Sequence, residues 1–318
     1  LNVTGTTYSW TNSNTAIGLG ANGNGNINSF TTTNSGNAPI TGTITATPSV
    51  TLNSVTCTGS TQSMNIVVNP IPTVVDPVDQ VVCNGALTQA VNFNGVVTGT
   101  VFNWTGSNPN INLPSSGSGS IPAFVATNTT NIPISSTITV TPIFTNAGTT
   151  CSGTPQTFSI TVNPTPTVDP IGNQTLCVGA NTSTVNFVSS LNVSGTTFNW
   201  SNSNTTIGLN GSGTGNIGSF TSLNTSNAPS TATVTVIPTY LNQNVTCTGT
   251  PQSFLITINP TPTVVDPSDI VVCNNANVQQ IVYTGSNASA TYAWSNDNTS
   301  IGQLFGVSHS LSVRSDNE

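Results

Sequence analysis

Hydrophobic and polar residues along this chain alternate with a period of two, in short runs that recur. Met64, Ile66 and Val68 are separated by polar or smaller residues, as are Phe158, Ile160 and Val162, and Phe254, Ile256 and Ile258. A period of two sends successive side chains to opposite faces, so each run predicts a strand with one buried and one wet face. Upstream, Ile138 and Val140 alternate with Thr137, Thr139 and Thr141, and Val234 and Val236 with Thr233 and Thr235. Thr and Val are β-branched and suit a pleated surface. No stretch has the i, i+3, i+4 apolar spacing of a capped helix. The pattern predicts an all-β protein. Pro48, Pro142 and Pro238 fall at equivalent places in the upstream strand. Proline cannot donate to a ladder, so that strand should be an edge there, or bulged.

The runs belong to a long repeat. Trp10, Trp104, Trp200 and Trp294 are spaced by 94, 96 and 94 residues, and two cysteine series, Cys57/Cys151/Cys247 and Cys83/Cys177/Cys273, keep the 94 and 96 spacing. The junctions Asn69-Pro70-Ile71-Pro72-Thr73-Val74, Asn163-Pro164-Thr165-Pro166-Thr167-Val168 and Asn259-Pro260-Thr261-Pro262-Thr263-Val264 correspond. The expected domains are a partial repeat over 1–70, complete repeats over 71–164 and 165–260, and a second partial repeat over 261–318. Leu1 aligns with Leu191, which places it inside a repeat. The aromatic pairs Tyr8/Trp10, Phe102/Trp104, Phe198/Trp200 and Tyr292/Trp294 stand two residues apart, on one face of a strand. Each Trp is expected to anchor a core. Several short strands per repeat of about 95 residues, around a central Trp, predict tandem immunoglobulin-like β-sandwiches.

The run Asp79-Gln80-Val81-Val82-Cys83-Asn84-Gly85, the strand Phe102-Asn103-Trp104, Cys151-Ser152-Gly153-Thr154-Pro155 and the closing Ile160-Thr161-Val162-Asn163-Pro164 together resemble PKD-like repeats. Such repeats occur in very large surface proteins of Bacteroidetes, including gliding-motility adhesins. The resemblance covers residues 1–302. It implies a β-sandwich, export through the type IX system, and no catalytic residues.

Charge narrows the function further. Charged residues make up 3% of the chain, with one Lys or Arg and one His in all. They are Arg314 and His309; the only Glu is Glu318, so residues 1–308 contain no His, Lys, Arg or Glu. General acid–base chemistry draws mostly on those side chains. The Asp residues have no Asp-Thr-Gly or Asp-Ser-Gly setting, so an enzyme is not expected. Nucleic acid and anionic membrane surfaces both need cations the chain lacks. No apolar run reaches the ~18 residues of a membrane helix. Gly18-Leu19-Gly20-Ala21-Asn22-Gly23 matches the dinucleotide fingerprint only formally, because no helix pattern follows. The Asn-x-Ser/Thr triplets are what chance gives in so Asn- and Thr-rich a chain.

Six cysteines without CxxC spacing or a nearby His predict disulfides in an oxidising compartment, outside the cell. The expected pairs are Cys83–Cys151 and Cys177–Cys247, each inside one repeat. The rival set crosses the junctions: Cys57–Cys83, Cys151–Cys177 and Cys247–Cys273. Five Asp lie at junctions: Asp76, Asp79, Asp169, Asp266 and Asp269. Asp76/Asp79 and Asp266/Asp269 are candidate calcium ligands, and no other cofactor is expected. The simpler account is that Asp before Pro starts a turn. The composition changes after Gly302, so the tail from Gln303 should not follow the repeat, and residues 261–318, a repeat without its closing strands, should pack poorly. The expected function is a non-catalytic stalk segment of a large secreted adhesin, extended through Pro-rich linkers. Surface glycans or other extracellular surfaces would be its partners. The alternative is a carbohydrate-binding or accessory module of a secreted polysaccharide-degrading enzyme.

Overall fold

The computed structural model describes residues 3–287, 290–301 and 305–308. It is all-β. Its compact units are residues 1–164 with 242–245, and residues 165–241 with 246–318.

In the first unit, β1 (Thr7–Asn12), β2 (Asn22–Asn24), β3 (Ile40–Leu52), β4 (Val55–Thr58) and β5 (Gln62–Val68) form one sheet. Its order is β2-β1-β3-β4, with β5 on the other half of β3. The second sheet contains β6 (Gln80–Cys83), β7 (Val101–Gly106), β8 (Ser116–Ser118), β9 (Ile134–Asn146), β10 (Thr149–Ser152) and β11 (Gln156–Asn163). Its order is β6-β11-β9-β7-β8, with β10 on β9. The expected alternation is present: Ile138, Val140, Phe158, Ile160 and Val162 are buried, whereas Thr137 and Thr139 face solvent.

A thinner layer closes this sandwich. Val91 and Ile121 exchange backbone hydrogen bonds at 2.9 Å in each direction, and Thr88 N–H donates to Phe124 O at 2.9 Å. Val91 and Phe93 from this layer pack on Trp104, Phe158 and Ile160 of the sheet. The Phe93 and Phe158 rings meet edge-on at 6.3 Å.

Pro142 lies inside the long strand β9, not at a sheet edge. Ile143 pairs with Ser152 of β10, and Val140 pairs with Gln156 of β11. Gly153–Pro155 therefore face only Thr141 and Pro142, which is a bulge. The proline sits where the partner of β9 changes, so the ladder donor it lacks is not needed on that side. Its carbonyl still accepts from Gly153 N–H at 2.9 Å.

The second unit repeats this plan. Its strands are β12 (Gln174–Cys177), β13 (Thr197–Asn202), β14 (Ser212–Thr214), β15 (Ser230–Asn242), β16 (Val245–Thr248) and β17 (Gln252–Asn259). The sheet order is β12-β17-β15-β13-β14, with β16 on β15. Val168, Val185 and Phe187 pack on Trp200, Val234, Val236 and Phe254.

In the last repeat β18 (Tyr292–Ser295) pairs with β19 (Phe305–Ser308). Trp294 faces Gly306 there, as Trp104 faces Gly117 and Trp200 faces Gly213. Strand pairing therefore continues past Gln303, where the composition alone suggested it would stop. The rest of the tail, including His309 and Arg314, lies outside the described residues.

Candidate functional site: the repeat joint

The Trp positions show why each sheet has its shape. Trp104 and Trp200 are buried, and Trp10 and Trp294 are half-buried. The indoles of Trp10, Trp104 and Trp200 lie across the glycines opposite them. A Cβ built on Gly23, Gly117 or Gly213 would come within 2.3 Å of the facing Trp Cζ2, so these places admit only glycine. The indole Nε1 atoms of Trp10, Trp104, Trp200 and Trp294 are all buried without a hydrogen-bond partner. The Trp side chains thus act through packing area.

The joints are built from asparagine. Asn69, at the end of β5, accepts from Asn146 Nδ2 at 2.8 Å through its Oδ1, and its own Nδ2 donates to Asn146 O at 3.4 Å. Asn146 ends β9 at the tip of the β9–β10 hairpin. One bond of this contact recurs where Asn242 Nδ2 donates to Asn163 Oδ1 at 2.8 Å, while Asn163 Nδ2 is buried without a partner. Asn163 is fully buried. An amide suits such a place because it offers an acceptor without a charge to desolvate.

A second recurring amide fastens the loop before each long strand. Asn34, Asn128 and Asn224 donate to Val68 O, Val162 O and Ile258 O, each at 2.8 Å, and also to the carbonyls of Ala38, Ile132 and Ala228. Composition hid these residues among many other Asn. Their recurrence at spacings of 94 and 96 was the signal that could have found them.

A close approach completes the joint. A Cβ on Gly153 would lie 1.8 Å from Pro72 O, and one on Gly249 would lie 1.8 Å from Pro166 O. The glycine two residues after each hairpin cysteine therefore lets the junction backbone pass against the sheet.

The cysteines depart from the expected pairing. Cys83 and Cys247 are disulfide-bonded. Cys57, Cys151, Cys177 and Cys273 carry free thiols. Neither Cys83–Cys151 nor Cys177–Cys247 forms, and neither does any bond of the rival set. The reason is the length of β9. Cys83 stands opposite Asn163, beside the Ile134 end of β9, whereas Cys151 stands opposite Phe144 near its other end. Ten residues of strand span roughly 33 Å, against the ~7 Å Cα separation that a disulfide tolerates. Cys177 stands likewise opposite Asn259, at the Ser230 end of β15, and Cys247 follows the hairpin at the far end.

Two of the junction acids, Asp79 and Asp169, act as hydrogen-bond acceptors. Asp79 Oδ1 accepts from Ser159 N–H at 2.6 Å. In the next repeat Asn173 Oδ1 accepts from Leu255 N–H at 2.8 Å. An amide does the same work as the carboxylate, so this position needs an acceptor and not a charge. Asp76, Asp266 and Asp269 are exposed. Among the described residues no three His, Cys, Asp or Glu are grouped so as to hold a metal ion. Asp169 accepts from both the hydroxyl and the backbone N–H of Ser190, at 2.6 and 3.0 Å. These two bonds, the hydroxyl's first, hold its carboxyl below the ordinary carboxylate range. A groove of about 640 Å³ runs between Val75–Val82 and Leu87–Asn94, and Asp76 and Asp79 are its only ionisable side chains.

No protein-family model matches the chain, and no curated protein matches it. Solved structures do. Mouse protocadherin-24 EC1-3 is similar over 82% of this chain and 92% of its own, at 16% identity and a TM-score of 0.36. Sidekick-1 immunoglobulin domains 1-4 match 88% of this chain and 74% of theirs, at 11% identity and a TM-score of 0.24. The Ig1-2 module of the Drosophila receptor protein tyrosine phosphatase DLAR matches 59% of this chain and 99% of its own, at 12% identity and a TM-score of 0.21. Likenesses this distant carry no argument about activity or partners. The class that the sheets and cores define is the tandem immunoglobulin-like β-sandwich.

Proposed function

We propose that this chain is a non-catalytic stalk segment of a large secreted bacterial cell-surface adhesin. The observation that carries the reading is the joint. The same two positions meet as an amide pair at Asn69/Asn146 and again at Asn163/Asn242, so a repeat is held to its neighbour by a built contact as well as by its linker. A spacer needs this, and a module that binds its ligand alone does not. Two further observations support it. Disulfide-bonded Cys83 and Cys247 suit an oxidising, extracellular setting. The near absence of ionisable side chains leaves little for catalysis.

Pulling the chain in a single-molecule force experiment tests the reading. A stalk gives successive unfolding events of matched contour length from the two complete repeats, 71–164 and 165–260. A glycan array probed with the same chain is expected to stay blank. Binding to a defined polysaccharide, with unfolding at negligible force, would replace the stalk by a carbohydrate-binding module.

A further inference from the structure

The two complete repeats share one plan but differ along one sheet edge. β6 and β12 are the edge strands, in matching parallel registers: Ile160↔Gln80 to Asn163↔Cys83, and Ile256↔Gln174 to Asn259↔Cys177. Each edge is tied to the thin layer by a glutamine. Gln80 Nε2 donates to Gln89 O at 3.0 Å and its Oε1 accepts from Gln89 N–H at 2.9 Å; Gln174 does the same with Ser183, at 3.1 and 2.9 Å. The backbones are built alike, but the side chains are not. The first edge carries Val78, Asp79, Val81 and Leu87 where the second carries Gly172, Asn173, Thr175 and Asn181. The bridge Leu87↔Val125 has Asn181↔Thr221 as its counterpart. Folding does not call for the apolar and acidic set, because the second repeat forms the same edge without it. Yet Val78 is 81% and Leu87 63% exposed, and exposed apolar side chains gathered in one place mark interaction sites.

These side chains line the groove of about 640 Å³ between Val75–Val82 and Leu87–Asn94, a volume that holds a ligand. The β6 wall also offers backbone. Asn84 N–H donates to Asn163 O, so by strand alternation Gln80 and Val82 face β11, and the N–H and C=O of Val81 face the open side. We propose that this groove binds an extended segment of another protein, in which Lys or Arg alternates with apolar residues, as a strand added to β6. Main-chain bonds to Val81 give the segment its register, its apolar side chains cover Val78 and Leu87, and its cations meet Asp76 and Asp79. Charge decides the occupant. Residues 1–308 contain no Lys or Arg to neutralise the two carboxylates, and a second copy of this chain would bring one cation against eight acids. A neutral glycan brings no cation at all. The site goes beyond the stalk reading and does not depend on it, since a rod or a free module could carry it equally.

The test titrates the full chain with the end-blocked peptide Thr-Val-Lys-Val-Lys-Val-Thr in a calorimeter and maps the site by hydrogen exchange. Two control peptides carry Glu in place of Lys, or N-methyl groups on the backbone amides of the three valines. The expected result is saturable binding that weakens with added salt and slows exchange in residues 79–83 but not in 173–177. Both control peptides should bind about tenfold more weakly or worse. One variant combines Val78→Gly, Asp79→Asn, Val81→Thr and Leu87→Asn, which copies residues that the second repeat already folds with; it should lose the protection at 79–83. Val81→Pro takes away a donor that faces away from β11, so it spares the ladder and should weaken binding by about fivefold or more. The three peptides on the unaltered chain decide the matter even if a variant fails to fold. Absence of saturable binding would overturn the proposal. So would equal binding of the Glu or N-methylated peptide, or protection as strong in 173–177 as in 79–83.

Discussion

Gly153→Ala should be among the most damaging small changes in the protein. The new Cβ would lie 1.8 Å from Pro72 O and 2.9 Å from Pro142 Cγ. A weak C–H···O contact sits near 3.3 Å, so the junction backbone has to retreat by roughly 1.5 Å. Overpacking in a tight core costs about 1–3 kcal/mol when neighbours can adjust. Here the obstacles are a backbone carbonyl and a proline ring, and neither can rotate away. A loss of about 3 kcal/mol follows, or about a hundredfold in local protection. Two other Gly→Ala changes isolate the cause. Gly148 has φ +78° and open space around it, so alanine meets only the left-handed penalty of about 1–2 kcal/mol. Gly172 has neither a positive φ nor a near neighbour, and alanine there should be neutral or stabilise by about 0.4–1 kcal/mol. Hydrogen exchange is the suitable assay, because several repeats need not unfold in one transition. It should be read at β9 and β10 for the first two variants and at β12 for the third. If Gly153→Ala were as well protected as Gly172→Ala, the close passage of the junction against the sheet would be wrong.

Trp104→Ala should cost about 3–5 kcal/mol, but Trp104→Phe less than about 1.5 kcal/mol, because phenylalanine keeps a ring over Gly117 and removes the buried Nε1–H that has no partner; thermal melts of the two variants separate packing from hydrogen bonding. Asn128→Ala leaves Val162 O without its 2.8 Å donor and should cost about 1–3 kcal/mol, read as faster exchange in β11. Asp79→Asn should hold the Ser159 N–H as Asn173 holds Leu255 N–H, whereas Asp79→Ala should expose that amide to exchange; a melting shift on adding calcium to the wild type but not to Asp79→Asn would show that the carboxylate does more. Asp169 has a folded-state pKa below its unfolded value, so its stabilisation is complete above the unfolded value near 4 and is lost as the pH falls through the lower folded value; Ser190→Ala should weaken that acid dependence, and an unchanged acid melting profile would refute it.

The sheets were legible because burial on one face leaves a period-two trace, and Phe158, Ile160 and Val162 carry it without interruption. The repeat was legible because Trp, Cys and the Asn-Pro junction are each uncommon enough to mark a position. The joint was not. Its working residues, Asn69, Asn146, Asn163 and Asn242, belong to one of the commonest residue types in the chain, and no local pattern separates a clasping Asn from a solvated one. The cysteine pairing failed for a different reason. Alternation alone does not say which part of β9 the segment around Cys151 pairs with. The fold breaks that segment at the bulge facing Pro142, so β10 and β11 lie on different halves of β9. Which half of a 13-residue strand a neighbour occupies is set by where the bulge falls. That bulge depends on Gly153 slipping beneath Pro72, a contact between residues 81 apart in sequence. Local alternation sets which face a residue takes; its place along the strand is set by such distant contacts, and disulfides depend on both.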